Sequence, residues 1–145
     1  MRTVIQRVSD ARLVTGETDP REIGRGIVAL VGVEKGDDSA SVKRMAERLI
    51  SYRIFPDEQG RMNLSVSDIN GEILLVPNFT VSADTKKGTR AGFSTAAEPE
   101  KSEGLFLELA ALLSSAHPAT KTGVFGADMQ IRLTNDGPVT FIINS

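Results

Sequence analysis

Cysteine and tryptophan are absent, and histidine occurs once, as His117. Without cysteine there is no disulfide framework, no thiol nucleophile and no zinc–thiolate cluster. One histidine excludes a multi-histidine metal centre, and a Ser-His-Asp triad would have to be built on His117 itself. That residue precedes Pro118 at the expected end of a helix, which suits a cap or a solvent-facing ring better than a base. An excess of one charge is missing too. Lys+Arg number 17 against 19 Asp+Glu, so nothing draws nucleic acid globally and any RNA contact needs a local patch. Long apolar runs are also lacking: the longest, Ile27 to Val33, is far below the ~18 residues of a membrane span. The first eight residues alternate like a strand and carry no signal-type apolar core. A soluble, cytoplasmic chain without a membrane partner, metal or cofactor is expected. No linker, low-complexity tract or repeat interrupts the 145 residues, so residues 1–145 are expected to form a single domain.

What is present reads as alternating strands and helices. Strands are expected at 2–9, 12–16 and 26–33, the last continuously apolar as in a strand covered on both faces. Val42, Met45, Ala46, Leu49 and Ile50 fall on one helical face, with Lys43, Arg44, Glu47 and Arg48 opposite. Ile73 to Val76 is a second buried strand. A second helix is expected from about Pro99 to Ala116, with Leu105, Phe106, Leu109, Leu112 and Leu113 facing inward. Met129, Ile131 and Leu133 alternate with polar residues, Asn135-Asp136-Gly137-Pro138 breaks the run, and Val139 to Ile143 resumes it. The pattern implies an α/β layered domain with two main helices and a mixed, largely antiparallel sheet.

No glycine-rich nucleotide fingerprint is present: Gly24-Arg25-Gly26 and Gly32-Val33-Glu34-Lys35-Gly36 read as turns. Asp57-Glu58-Gln59-Gly60 lacks the alternating ligands of a calcium loop. Lys86, Lys87 and Arg90 form the densest basic segment, on a loop with Gly88, Gly92 and Phe93. Such a run is either a solvated loop or a contact for a phosphate backbone. Two other loops stand out. In Val76-Pro77-Asn78-Phe79-Thr80-Val81, Pro77 cannot donate to a ladder, so the following backbone is expected to leave regular pairing and free its amides. The second is Asn135-Asp136-Gly137-Pro138-Val139-Thr140, an ordinary turn or a constrained functional one.

These loops carry a resemblance to the D-aminoacyl-tRNA deacylases that extends over essentially the whole chain. The matching segments include Ile5-Gln6-Arg7-Val8, Val31 to Asp37, Tyr52-Arg53-Ile54-Phe55, Arg61-Met62-Asn63-Leu64-Ser65, Ala83 to Gly88, Phe125-Gly126-Ala127-Asp128-Met129 and Asn135 to Thr140. The resemblance implies a deacylase-type fold and a homodimer. It implies hydrolysis of the ester joining a D-amino acid, or glycine, to the terminal adenosine of tRNA. It also implies a cis Gly137–Pro138 pair that enters the partner's pocket and leaves no room for an L-side chain. Backbone amides of Phe79 and Thr80 would hold the ester carbonyl. Pro77, Asn78, Phe125 and Met129 would line the substrate site, and Lys86, Lys87 and Arg90 would meet tRNA. No DNA partner is implied.

The family's Ser-Gln-Phe-Thr-Leu reads here as Pro77-Asn78-Phe79-Thr80-Val81. Some relatives with proline at the first position act on mischarged L-alanyl-tRNA. A shifted specificity of that kind, or an inactive RNA-binding dimer, are the alternatives this departure raises. Thr80 is the only hydroxyl in the motif and the obvious nucleophile, but no base is visibly placed to activate it. The resemblance implies instead that the ribose 2′-hydroxyl beside the ester helps to activate water.

Overall fold

The computed structural model describes residues 1–16 and 20–145. Its main sheet is built on β1 (Arg2–Val14), which pairs antiparallel with β3 (Gly26–Gly32) over its first half and with β2 (Arg21–Ile23) over its second. The opposite edge of β1 carries β8 (Gln130–Asn144), also antiparallel. On the far side of β3 lie β6 (Glu72–Pro77) and β7 (Thr120–Thr122), both parallel additions. A small hairpin pairs β4 (Phe55–Pro56) with β5 (Met62–Leu64). The sheet is therefore mixed and largely antiparallel, as the sequence implies.

Two helices, α1 (Ser39–Ser51) and α2 (Pro99–Ala116), cover one face. Asp38 caps α1, accepting from Ser41 N–H at 2.9 Å and Ser41 Oγ–H at 3.1 Å. Val42, Met45 and Leu49 of α1 and Phe106, Leu109 and Leu113 of α2 meet Ile5, Ile27, Ala29, Val31, Ile73 and Leu75 of the sheet. Among the described residues the other face has no α-helix. There the curled second half of β1 and the start of β8 cover Val28, Leu74 and Val76 with Val8, Ala11, Leu13 and the half-buried Met129, Ile131 and Leu133. Apolar side chains are thus taken up on both faces of β3 and β6, which explains their unbroken apolar runs.

The terminal regions depart from expectation. The two expected strands 2–9 and 12–16 are one, β1, which ends at Val14 and is bent by register shifts between Gln6 and Val8 and between Val8 and Asp10. Likewise, Asn135–Pro138 does not end β8. The strand bulges, since Gln6 faces Thr140 while Val8 faces Asn135, and Asp136 to Val139 are accommodated opposite Arg7. The polar run that looked like a break is a device within one long strand. The short strands β2, β4, β5 and β7 lack an apolar alternation of their own. His117 does end α2, accepting the cap position, but its ring is buried and Nε2 donates to the Gly71 carbonyl at 2.7 Å. It is structural, and neither solvent-facing nor a base.

Candidate active site

The site grows from the end of β6. Asn78 N–H donates to the Val31 carbonyl at 2.8 Å, the last rung to β3. In a parallel ladder alternate residues face alternate neighbours, so the nitrogen of Pro77 faces the β7 side. That ladder has already stopped at Gly123 N–H, which donates to the Leu75 carbonyl at 2.8 Å. Pro77 therefore breaks no bond to β3, and it ends the pairing as its lack of a donor requires. Next comes a single 3-10 turn, Phe79–Ser82, seated on β3 at Gly32. A Cβ on Gly32 would lie 2.4 Å from Ser82 Oγ, so a side chain there would lift the turn off the sheet.

Within the turn the amides are unequally engaged. Asn78 Oδ1 accepts from Thr80 Oγ–H at 2.6 Å and from Thr80 N–H at 3.2 Å, while Val81 N–H donates to the Asn78 carbonyl at 3.2 Å. Phe79 N–H has no acceptor among the described residues. Of the two amides the sequence nominates, Phe79's is open and Thr80's is not. The reason is local: an Asn side chain reaches the amide two residues on.

Phe79 stands between two cavities. One, about 460 Å³, has apolar walls from Pro77, Phe79, Phe93, Ala97 and Phe125, with Glu98 and Ser102 as polar groups. The other, about 320 Å³, is lined by Asn78, Phe79, Asp128, Met129 and Ile131. Pro77 and Gly126 contribute to both. Phe125 and Met129, expected together, lie in different cavities on either side of Phe79. Phe125 is anchored on buried Phe106, with ring centroids 6.4 Å apart. Met129 packs against the helix-free side of the sheet. Phe79 is 59% exposed and Phe93 44%, with centroids 5.0 Å apart, so two aromatic faces stand in solvent at the cavity mouth. Phe93 escapes a sequence reading because it counts only as a neighbour of the basic run. Asp128 lies inside a quoted motif with nothing to mark it as cavity-lining.

Lys86, Lys87 and Arg90 are exposed on a loop that leaves directly after the 3-10 turn. Asp84 and Gly92 close its base by reciprocal backbone bonds of 2.8 and 2.9 Å, and Phe93 follows immediately. The loop thus leads in sequence to Phe93 of the aromatic cavity, while Lys86 itself lines a separate cavity with Arg2, Glu34 and Thr95.

Gly137 and Pro138 are exposed, their peptide bond is cis, and they line neither cavity. Side chains hold the bulge from within. Asn135 Nδ2 donates to the Val139 and Arg7 carbonyls at 2.9 and 3.2 Å, and Val139 N–H donates to Asn135 Oδ1 at 3.0 Å. Arg7 donates to the Asp136 and Ile54 carbonyls at 2.8 and 2.7 Å and lies 3.3 Å from the Asp136 carboxylate. A Cβ on Gly137 would sit 2.1 Å from Val139 N, so only glycine fits. Arg7 and Asn135 are functional candidates that the sequence reading missed, because their partners are mostly main-chain carbonyls set by register. The bulge faces Arg7, which pairs with Ile27, whereas Pro77 pairs with Val31. Four residues of rise and three strand spacings put Gly137 roughly 20 Å along the sheet from Pro77 in the same chain.

A family model described as D-Tyr-tRNA(Tyr) deacylase matches residues 4–144. The chain belongs to that family. Two relatives described as D-aminoacyl-tRNA deacylases support the assignment at full length. The one from Teredinibacter turnerae is 50% identical over 145 residues, 100% of both chains. The one from Thioalkalivibrio sulfidiphilus is 54% identical over 142 residues, covering 97% of this chain and 95% of its own. Among solved structures, a protein described as c-Myc DNA unwinding element binding protein superposes with a TM-score of 0.94 at 35% identity, covering 100% of this chain and 99% of its own. A probable eukaryotic D-amino acid tRNA deacylase shares the fold, with a TM-score of 0.89 at 14% identity, covering 99% of this chain and 98% of its own. The chain is accordingly a deacylase, a hydrolase, with the deacylase fold. No described helix is long and apolar enough to cross a membrane.

Proposed function

We infer that this deacylase hydrolyses D-aminoacyl-tRNA and glycyl-tRNA as a cytoplasmic homodimer, and that it excludes L-aminoacyl esters sterically. The observation that carries the reading is Phe79 N–H, which has no acceptor among the described residues and belongs to a residue lining two cavities of a family member. The aromatic cavity suits a nucleobase, since Phe79, Phe93 and Phe125 offer ring faces for stacking. The smaller cavity, on the other side of Phe79, receives the aminoacyl group. An ester carbonyl placed between them meets Phe79 N–H, a preorganised donor for the charge that develops on its oxygen. Water adds to that carbonyl, the bond to the ribose oxygen breaks, and the proton passes to the leaving ribose. The neighbouring 2′-hydroxyl assists, because Thr80 Oγ–H is held by Asn78 and His117 is committed to Gly71.

Chirality is read by Gly137–Pro138 of a second copy. The ~20 Å separation within one chain and the exposure of the pair support delivery in trans, as does the second edge of β8, a 15-residue strand that among the described residues pairs only with β1. A backbone wall has no room for an L-side chain, while glycine has none to clash. Lys86, Lys87 and Arg90 follow the phosphates of the acceptor end. The deciding experiment compares substrates ending in ribose and in 2′-deoxyribose, with wild type and Thr80→Ala. The deoxy substrate is expected to be nearly inert and the variant to keep substantial activity. The reverse pattern would make Thr80 the nucleophile.

A further inference from the structure

The geometry points to Asn78 as a positioning residue that takes Thr80 out of the chemistry and orders the turn carrying Phe79. This rests on the deacylase reading of the site. The family resemblance implies that Asn78 lines the substrate site, but its side-chain oxygen is already committed inside the turn, to Thr80 Oγ–H at 2.6 Å and Thr80 N–H at 3.2 Å. An amide oxygen is no base, so the hydroxyl proton that a threonine nucleophile must lose is held by a group that cannot remove it. The same oxygen fixes the path from Asn78 to Thr80. Asn78 N–H is bound to Val31 and Val81 N–H to the Asn78 carbonyl, so one open amide remains, aimed by its two occupied neighbours. A glutamine, one methylene longer, does not favour this short-range bond. Pro77-Asn78 is therefore a self-consistent pair: proline ends the β7-side ladder at no loss to β3, and asparagine supplies the brace for the turn that follows.

The test uses steady-state deacylation of D-tyrosyl-tRNA together with hydrogen exchange at the Thr80 amide. Asn78→Leu is expected to lower kcat ~10-fold with KM within ~2-fold, and Asn78→Ser, which keeps a capping oxygen, to recover at least ~3-fold of that loss. Thr80→Val removes one of the two bonds and is expected to lower kcat ~3-fold. The double variant should then be no worse than Asn78→Leu alone, because both act through one oxygen. Thr80 amide exchange should be slow in the wild type and at least ~10-fold faster in Asn78→Leu. A wild-type kcat in Asn78→Leu, a rise confined to KM, abolition by Thr80→Val, or multiplicative losses in the double variant would each overturn the assignment. A wild type with no deacylation fails the functional reading instead. The exchange measurement still decides whether the brace exists, and fast exchange at Thr80 in the wild type refutes it.

Discussion

Truncating Asn135 to alanine isolates the support of the bulge from the Gly137–Pro138 pair it carries. The side chain makes three hydrogen bonds, two to carbonyls of Val139 and Arg7 and one from Val139 N–H, and Val139 is 6% exposed. Alanine leaves the Val139 amide without an acceptor in a place water barely reaches, a penalty of ~1–3 kcal/mol, and removes two further bonds of ~0.5–1 kcal/mol each. The expected loss is ~2–5 kcal/mol, which for a chain of this size lowers the melting temperature by ~6–15 °C. Asn63→Ala is the matched control. Asn63 is exposed and gives one bond to Asp57 at 2.7 Å, so its loss should stay within ~0.5 kcal/mol. Thermal melts of both variants, with D-tyrosyl-tRNA deacylation measured well below the lower midpoint, provide the comparison. Asn135→Ala should lose at least ~10-fold in kcat/KM while still folded, because the pair we propose to read chirality has lost its internal clasp. If Asn135→Ala melts within 2 °C of wild type, or keeps full activity, the account of the bulge is wrong.

Other expectations follow from the same geometry. Gly137→Ala brings a methyl against Val139 N and Cγ2, at 2.1 and 2.9 Å before relaxation. The bulge must move, and D-tyrosyl-tRNA deacylation should fall more than ~100-fold while far-ultraviolet circular dichroism stays native, against ~1–3 kcal/mol of overpacking. Replacing Lys86, Lys87 and Arg90 together by glutamine should raise KM with kcat unchanged. It should also flatten the slope of log(kcat/KM) against log[salt] by ~2–3 units. The acid limb of stability involves Asp38, Asp57 and Asp68. Their carboxyls are held below the ordinary range mainly by backbone N–H donors, those of Ser41, Arg61 and Ser65 respectively. A folded pKa below the unfolded one contributes stability above the unfolded value that is lost as pH falls through the folded one. Melting temperature should therefore decline below about pH 4, and Asp68→Asn should shrink the difference between pH 7 and pH 3.

Most of the scaffold is legible in the sequence because its signals are periodic. The heptad-like spacing of Val42, Met45 and Leu49 marks α1, and the unbroken Ile27–Val31 and Ile73–Val76 runs mark the two strands buried on both faces. What is not legible depends on register. Nothing local says that Asn135 closes onto Val139 across four residues, which follows from how β1 and β8 align, or that Arg7 reaches Ile54, which follows from where the chain after α1 packs on β1. The motif residues at 77–80 are recognisable. Which of their amides is open depends on the rotamer Asn78 adopts, and that appears only when the turn is built.

The central claim is that a rigid backbone site, and no catalytic side chain, reads chirality at an ester. A matched deacylation assay on D-tyrosyl-, L-tyrosyl-, glycyl- and L-alanyl-tRNA tests it most directly. The account requires release from the D- and glycyl esters, with both L-esters left at the blank rate. Release confined to L-alanyl-tRNA, or equal release from D- and L-tyrosyl-tRNA, contradicts it.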